Sequence, residues 1–516
     1  MVVRGWMAAL TAAAALAVAA ALAAGPAGAA PVVHIAQGEL DGVTAGAVDS
    51  FKGVPYAAPP VGDLRWRPPA AAPTWTGARD ASAFGPSCLQ APRAGITVSE
   101  DCLTLNVWTP TARAAGGKLP VMVWIYGGAF IEGTSSFPIY DGSHFAEHGV
   151  VLVSFNYRLG RAGFFAHPAL DKTADGPVGD YGLMDQIAVL KWVQANIAAF
   201  GGDPANVTIF GESAGGISVN TLVASPATRG LFAKAISESG FGRSKAAPLA
   251  TAEGVGERFA QANGVNGDDA AAAAALRALP AEVLNAPYGA IGGADMPGVI
   301  IDGRIVTETN PQAFAKGDQA HVPYLVGGNS YEASLFPAVI RYPGVVMGRV
   351  GGDADRAKSL YGGATPQAAA DLTTEAQIIE PNRFLARRMA AAGQPVFLYY
   401  FSYLPAAQRG SALGVAHGGE INYVFGNLPA QPVTYAGRSY PAAAPEDRKL
   451  GDAVFAYWLA FAKTGDPDSA GGPRWPRYGA EGDQLLEFGS DGITVRQDFH
   501  KDRLDWLESV AGASGR

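Results

Sequence analysis

The stretch from Asn206 to Asn220, "NVTIFGESAGGISVN", sets Ser213 between Gly211 and Gly215 at the edge of an apolar run. Val207–Phe210 reads as a short buried strand and Ala214 onward as a helix start. A serine at such a corner has two readings. It is a helix N-cap, or it is a nucleophile whose hydroxyl is exposed by a sharp turn that also brings backbone N–H groups close. A serine nucleophile requires a base, an acid that orients the base, and donors for an oxyanion. Where the serine sits on a strand-to-helix turn, the acid and then the histidine follow it along the chain.

Three histidines lie well beyond Ser213: His321, His417 and His500. His321 precedes an apolar strand and so enters a sheet at the wrong edge. His500 sits in the charged terminal segment "DFHKDRLDW", where solvation is expected. His417, in "LGVAHGGEINYVFG", is flanked by glycines that permit close approach, and it is the preferred base. The acid should follow the strand Val322–Val326, and Glu332 is the carboxylate in the loop "GGNSYEASLF". Asp302 in "IIDGRI" competes, although Asp-Gly is a turn signal in its own right. For the oxyanion, Ala214 follows the nucleophile, and "WIYGGAF" (Trp124 to Phe130) lets N–H groups converge at Gly127, Gly128 and Ala129.

These groups need a rigid support. "VMVWIYGG" (Val121 to Gly128), "VVLVSFNYR" (Val150 to Arg158), "VTIFG" and "VPYLVGGN" (Val322 to Asn329) are compact apolar runs that end in turn residues. Between them lie helical patterns. From Tyr181 to Phe200, apolar residues fall at Leu183, Ile187, Leu190, Val193 and Ile197. Doubly buried strands alternating with helices predict an α/β chain with a large, mostly parallel sheet. Ligands bind beyond the carboxyl ends of such strands. The Ala-rich region Asp268 to Leu284 predicts a peripheral helical layer, and Gly465 to Gly479 a Pro/Gly-rich surface loop. No linker composition interrupts the chain, so residues 30–516 are expected to form one domain with helical insertions.

The 516 residues are 48% hydrophobic and 16% charged, a globular composition. A net charge of −8 without basic clusters argues against a nucleic-acid partner, and no metal-ligand spacing occurs among the His and Cys residues. Residues 1–29 combine Arg4, an apolar run from Met7 to Ala24 and the small-x-small site Ala27-Gly28-Ala29. That is the layout of a cleaved secretory signal rather than a membrane anchor, and it predicts a secreted or periplasmic protein with no lasting anchor. Export, an even cysteine count and short spacing favour a Cys88–Cys102 bridge over two free thiols.

Several longer stretches carry a resemblance. "FKGVPYAAPPVGDLRWRPP" (Phe51 to Pro69), "EDCLTLNVW" (Glu100 to Trp108), "WIYGGAF", "FNYRLG" (Phe155 to Gly160), "FGGDPANVTIFGESAGG" (Phe200 to Gly216), "HGGEINYVFG" and "WLAFAKTGDP" (Trp458 to Pro467) resemble the type-B carboxylesterase/cholinesterase family of α/β-hydrolases, from about Val32 to Trp506. The resemblance implies an α/β-hydrolase fold and a cofactor-free serine carboxylesterase. Its triad falls on Ser213, Glu332 and His417, its oxyanion donors on Gly128, Ala129 and Ala214, and its first disulfide on Cys88–Cys102. It also implies a supporting role for Ser239, an acidic pocket residue at Glu212, and pocket positions at Gly127 and Phe130.

Departures from the family pattern bear on substrate. Ala129 stands where Gly is frequent, which suggests room for bulky alcohols. The short loop "CLQAPRAGITVSEDC" has no aromatic residue to hold choline and weakens a lid. Glu238 replaces a more usual Gln. A lipase, a toxin, polyester or lactone hydrolase, and a non-catalytic binding protein are the competing readings; the last is disfavoured because Ser213, Glu332 and His417 are all present. Pocket loops at Asn285–Met296 and Phe336–Val350 are expected to decide the substrate. The sequence does not address oligomeric state.

Overall fold

The computed structural model describes residues 30–113, 117–174, 176–288, 295–435, 438–468, 471–479 and 481–513. The export signal assigned to residues 1–29 and part of the Asn285–Met296 loop lie outside them. The frame is an 11-stranded sheet. Its strands are β1 (Val43–Ala45), β2 (Val48–Pro55), β3 (Thr104–Pro110), β4 (Leu119–Ile125), β5 (Val151–Phe155), β6 (Gly202–Glu212), β7 (Lys234–Glu238), β8 (Tyr324–Asn329), β9 (Val396–Phe401), β10 (Leu485–Gly489) and β11 (Gly492–Arg496). The spatial order is β11-β10-β9-β8-β7-β6-β4-β5-β3-β2-β1. From β10 to β5 every pairing is parallel; β3, β2 and β1 at one edge and β11 at the other are antiparallel.

The central strands are buried on both faces, which is why they read as unbroken apolar runs instead of alternating ones. Val121–Ile125, Val151–Val153 and Tyr324–Val326 are essentially inaccessible. On β4, Trp124 packs against Tyr140, Phe210 and Phe425 with ring centroids 4.8–5.1 Å apart. Helices cover both faces. The predicted helix at Tyr181 runs to Asn196, tightens into a 3-10 turn through Phe200, and stops at Gly201 (φ 83°). Its Asp185 forms a fully buried fork with Arg158 (2.7 and 2.8 Å), which fixes the "FNYRLG" loop.

Between β8 and β9 the chain inserts short helices at Ala338–Arg341, Pro343–Arg349, Ala354–Tyr361 and Pro366–Thr374, followed by a π-helical turn and the helix Glu380–Ala391. With the final helix Lys501–Ala513 they enclose a second, smaller core around Met347, Leu372, Ile378, Leu504 and Leu507. One expectation needs correction. The Gly465–Gly479 segment is not simply a surface loop: Trp475 is 1% exposed, packs on Trp458 and Phe488, and donates to Leu398 O. A single large aromatic outweighs the polar composition around it. His500 is exposed, as expected, with its ring stacked on Phe499 and its Nδ1 2.7 Å from Glu375 Oε1.

Candidate active site

Ser213 sits where β6 ends and the helix Ala214–Ala224 begins, with φ 59° and ψ −123°. That backbone is unfavourable for a residue with a Cβ, at a cost of about 1–3 kcal/mol, and it persists only where the surroundings enforce it. The flanking glycines show how. A Cβ on Gly215 would stand 1.9 Å from Ile125 O, and one on Gly211 would stand 2.6 Å from the same oxygen and 2.8 Å from Gly215 C. Bare backbone is therefore required on both sides of the corner. Ser213 occupies the N-cap position, yet its side chain makes no capping hydrogen bond. The cap reading loses its physical basis.

Glu332 opens a 3-10 turn three residues beyond β8 and is 1% exposed. Its Oε2 lies 2.5 Å from His417 Nδ1. Its Oε1 accepts from Ser239 Oγ (2.5 Å) and from the backbone N–H of Asn329 (2.7 Å). The loop that carries His417 is stitched to the loop that carries Glu332: Tyr331 N–H donates to Val415 O, Val415 N–H to Ser330 Oγ, and His417 N–H to Ser334 Oγ (2.9, 2.9 and 3.0 Å). These bonds set the imidazole by backbone, a stiffer arrangement than side-chain packing alone.

His417 Nε2 faces Glu212 Oε1 at 3.1 Å. Burial alone would push the imidazole pKa down; the carboxylates of Glu212 and Glu332 outweigh it and push the pKa up to about 9. Two further carboxylates lie behind this pair. Glu420 is buried, with one oxygen bonded to Asn329 Nδ2, and burial plus the charges of Glu212 and Glu332 push its pKa up to about 8. Glu238 is register partner to Glu212 on the adjacent strand and accepts from Trp458 Nε1 at 2.7 Å; burial and Glu420 hold its pKa well above the carboxylate range. Burial and the neighbouring negative charges both favour the protonated form at these two deeper carboxylates.

The turn after β4 runs through Gly128 (φ 114°), Ala129 (φ 53°) and Phe130 (φ 62°). Neither Gly128 N–H nor Ala129 N–H donates to a protein acceptor among the described residues, and Ala214 N–H is one of the free donors of the first helical turn. Gly127 sits against Ser213: a Cβ there would lie 2.8 Å from Ser213 Cβ. Phe130 is buried against Phe164 (4.8 Å). Cys88 and Cys102 are bridged.

The remaining histidines and the competing acid are elsewhere. His321 is exposed, and Asp302 Oδ1 accepts from the N–H groups of Arg304, Ile305 and Val306, closing its own turn. Sequence reasoning overlooked Glu420, Asn329, Trp458 and Phe241. Glu420 lies in the quoted "HGGE" motif, three residues after His417, and that proximity was the available signal. Phe241, in the left-handed region at φ 44°, sets its ring edge-on to His417 at 6.1 Å; nothing in the sequence marks it.

A model of the carboxylesterase family matches residues 29–345 and 354–507. The chain is 40% identical over 488 residues to fumonisin B1 esterase of Sphingopyxis macrogoltabida, covering 89% of this chain and 86% of that protein. It is 32% identical over 548 residues to carboxylesterase 1D of Rattus norvegicus, with 93% of each chain covered. Among solved structures, a PNB esterase superposes with a TM-score of 0.79 at 33% identity, covering 92% of this chain and 99% of that one. A Geobacillus stearothermophilus carboxylesterase superposes with a TM-score of 0.80 at 35% identity, with the same coverage.

Proposed function

The chain belongs to the carboxylesterase family of α/β-hydrolases, and we propose that it cleaves carboxylic esters through an acyl-enzyme on Ser213, with His417 as base and Glu332 as the acid that orients it. Ser213 Oγ attacks the ester carbonyl carbon while its proton passes to His417 Nε2. The oxyanion is held by the N–H groups of Gly128, Ala129 and Ala214. The carbon–oxygen bond to the alcohol then breaks, and the alcohol leaves with the proton from His417. Water gives a proton to His417 and attacks the acyl carbon; the bond from that carbon to Ser213 Oγ then breaks as His417 returns the proton to Oγ, releasing the acid and free Ser213. In the resting arrangement Nε2 faces Glu212, so proton transfer begins with Ser213 Oγ taking that place.

The observation that carries this reading is the backbone of Ser213, enforced by two glycines and spent on no cap. The test is the hydrolysis of p-nitrophenyl esters of increasing acyl length by the wild type and by Ser213→Ala. The variant is expected to lose a factor of about 10⁴ or more in kcat. Retention of most of the activity would sink the mechanism, and a steep preference for long acyl chains would favour a lipase.

A narrower reading, in which the ester is one bulky natural compound, is supported by the likeness to fumonisin B1 esterase. Residues 1–29 act as an export signal and residues 30–516 as one catalytic domain. The Cys88–Cys102 bridge supports an oxidising compartment. Among the described residues no helix is long and apolar enough to cross a membrane.

A further inference from the structure

The helix Pro366–Thr374 passes into the π-helical turn Glu375–Ile379 and then into the helix Glu380–Ala391. A π turn inside a helical run is rare and recurs at functional sites. Here the run lies against the end of β8 and the turn that opens with Glu332. Three of its side chains matter. Thr374, 1% exposed, accepts a hydrogen bond at Oγ1 from the N–H of Ala333 (3.2 Å), the residue after Glu332, across 41 residues of chain. Ile378 stands over Gly328: a Cβ there would lie 2.4 Å from Ile378 Cγ2 and 3.1 Å from Glu332 Oε1, so the isoleucine and the carboxylate meet above bare backbone. Asn382 Nδ2 donates to Gly327 O (2.7 Å), which also accepts from Ser239 N–H.

The bond to Thr374 answers a need of the local backbone. Ala333 N–H belongs to the first turn of a 3-10 segment, where no intrahelical acceptor exists, and Tyr331 at the cap position makes no side-chain capping bond. Ser239 and the N–H of Asn329 hold the carboxylate of Glu332; Thr374 holds the backbone that carries it. The next residue, Glu375, is buried and accepts from Tyr361 Oη (2.6 Å) and Arg503 Nη1 (3.2 Å), with His500 Nδ1 at 2.7 Å. Adjacent residues of the insert thus bind the Glu332 turn and the terminal helix Lys501–Ala513.

We infer that Thr374 is a positioning residue for ester hydrolysis: its hydroxyl fixes the turn of Glu332 so that the carboxylate meets His417 Nδ1. The inference rests on the esterase reading above. The helices ahead of Pro366 can change length as long as Thr374 keeps this bond. The test compares Thr374→Val, which keeps the shape and removes the acceptor, with Thr374→Ser, which keeps the acceptor. The readouts are kcat per titrated active site, KM and the acid limb of kcat/KM on p-nitrophenyl acetate, together with the melting temperature. Glu212, Glu332 and Glu420 face His417 and raise its pKa against burial, so a Glu332 that drifts away lets that pKa fall. Thr374→Val is expected to lose about tenfold in kcat at unchanged KM, with the acid limb moved to lower pH by about half a unit or more. Thr374→Ser should stay within about twofold of the wild type with its limb in place. Thr374→Ala carries the same expectations as the valine if the valine does not fold. A hydroxyl-free variant that melts lower, yet keeps the wild-type kcat per active site and an unmoved limb, overturns the inference and leaves ester hydrolysis intact. A serine variant as impaired as the valine overturns it too. If the wild type hydrolysed no ester, the esterase reading itself would fail.

Discussion

The pH dependence offers a sharp test of the electrostatics, because His417, the proposed base, is surrounded by more negative charge than that role needs. His417 must be neutral to accept a proton, and its pKa is pushed up to about 9. The base form is therefore present above that value and lost as pH falls through it. The acid limb of kcat/KM, which reports the free enzyme, is expected in the alkaline range. Glu212, with Oε1 3.1 Å from Nε2, is the main source. At an effective dielectric constant of about 20 a unit charge at that distance favours the imidazolium by about 5 kcal/mol, or roughly four pH units as a ceiling. Glu332 remains in Glu212→Gln and burial continues to oppose the charge, so the limb should move down by at least about one unit, toward neutrality. The assay is a kcat/KM profile from about pH 5 to 10 on one neutral p-nitrophenyl ester. A limb that stays within about 0.3 units of the wild type's, or a wild-type limb already below about pH 7, would refute the reasoning.

Other perturbations have equally definite outcomes. Gly127→Ala puts a methyl group 2.7 Å from Glu212 O and 2.8 Å from Ser213 Cβ; displacing the proposed nucleophile by a fraction of an ångström should cut kcat about 10²-fold, measured by active-site titration and turnover. Cys88→Ser/Cys102→Ser opens a short loop and should lower the unfolding free energy by about 3 kcal/mol in urea titrations, with kcat within about twofold. Glu420 is protonated in the fold up to about pH 8 against an ordinary 4.5. The stability this provides is complete below the ordinary value and lost as pH rises through about 8. Glu420→Gln should accordingly flatten the fall in melting temperature between pH 5 and 9; an unchanged slope would show that Glu420 is ionised throughout.

The sequence makes the strand ends legible because doubly buried strands leave long apolar runs that stop abruptly. The corner at Ser213, the acid after β8 and the histidine loop all follow from those stops. Less legible is whatever depends on two distant segments meeting. Glu238 and Glu212 are cross-strand neighbours, and Glu420 reaches Asn329 over 91 residues of chain; neither has a local signature that separates it from a solvated glutamate. Trp475 illustrates the converse, since local Pro and Gly density reads as surface while the indole is core.

The parallel pairing of β6 with β7 matches Glu212 to Glu238, and the ladder continues as Ser213 N–H donates to Glu238 O (3.0 Å) and Ser239 N–H to Gly327 O (2.8 Å). Ser213, the proposed nucleophile, and Ser239, whose hydroxyl bonds Glu332, are thus the next residues on strands whose alignment is set deep inside the sheet. A one-residue deletion within Val207–Glu212 would turn every side chain beyond it to the opposite face, whereas the helices inserted between β8 and β9 can lengthen or shorten at little cost to the chemistry. Insertions and deletions should therefore be tolerated along this molecule in a sharply graded way. Exchanging whole inter-strand segments for those of a relative would alter which esters are admitted, and trimming a single strand residue would abolish hydrolysis of all of them.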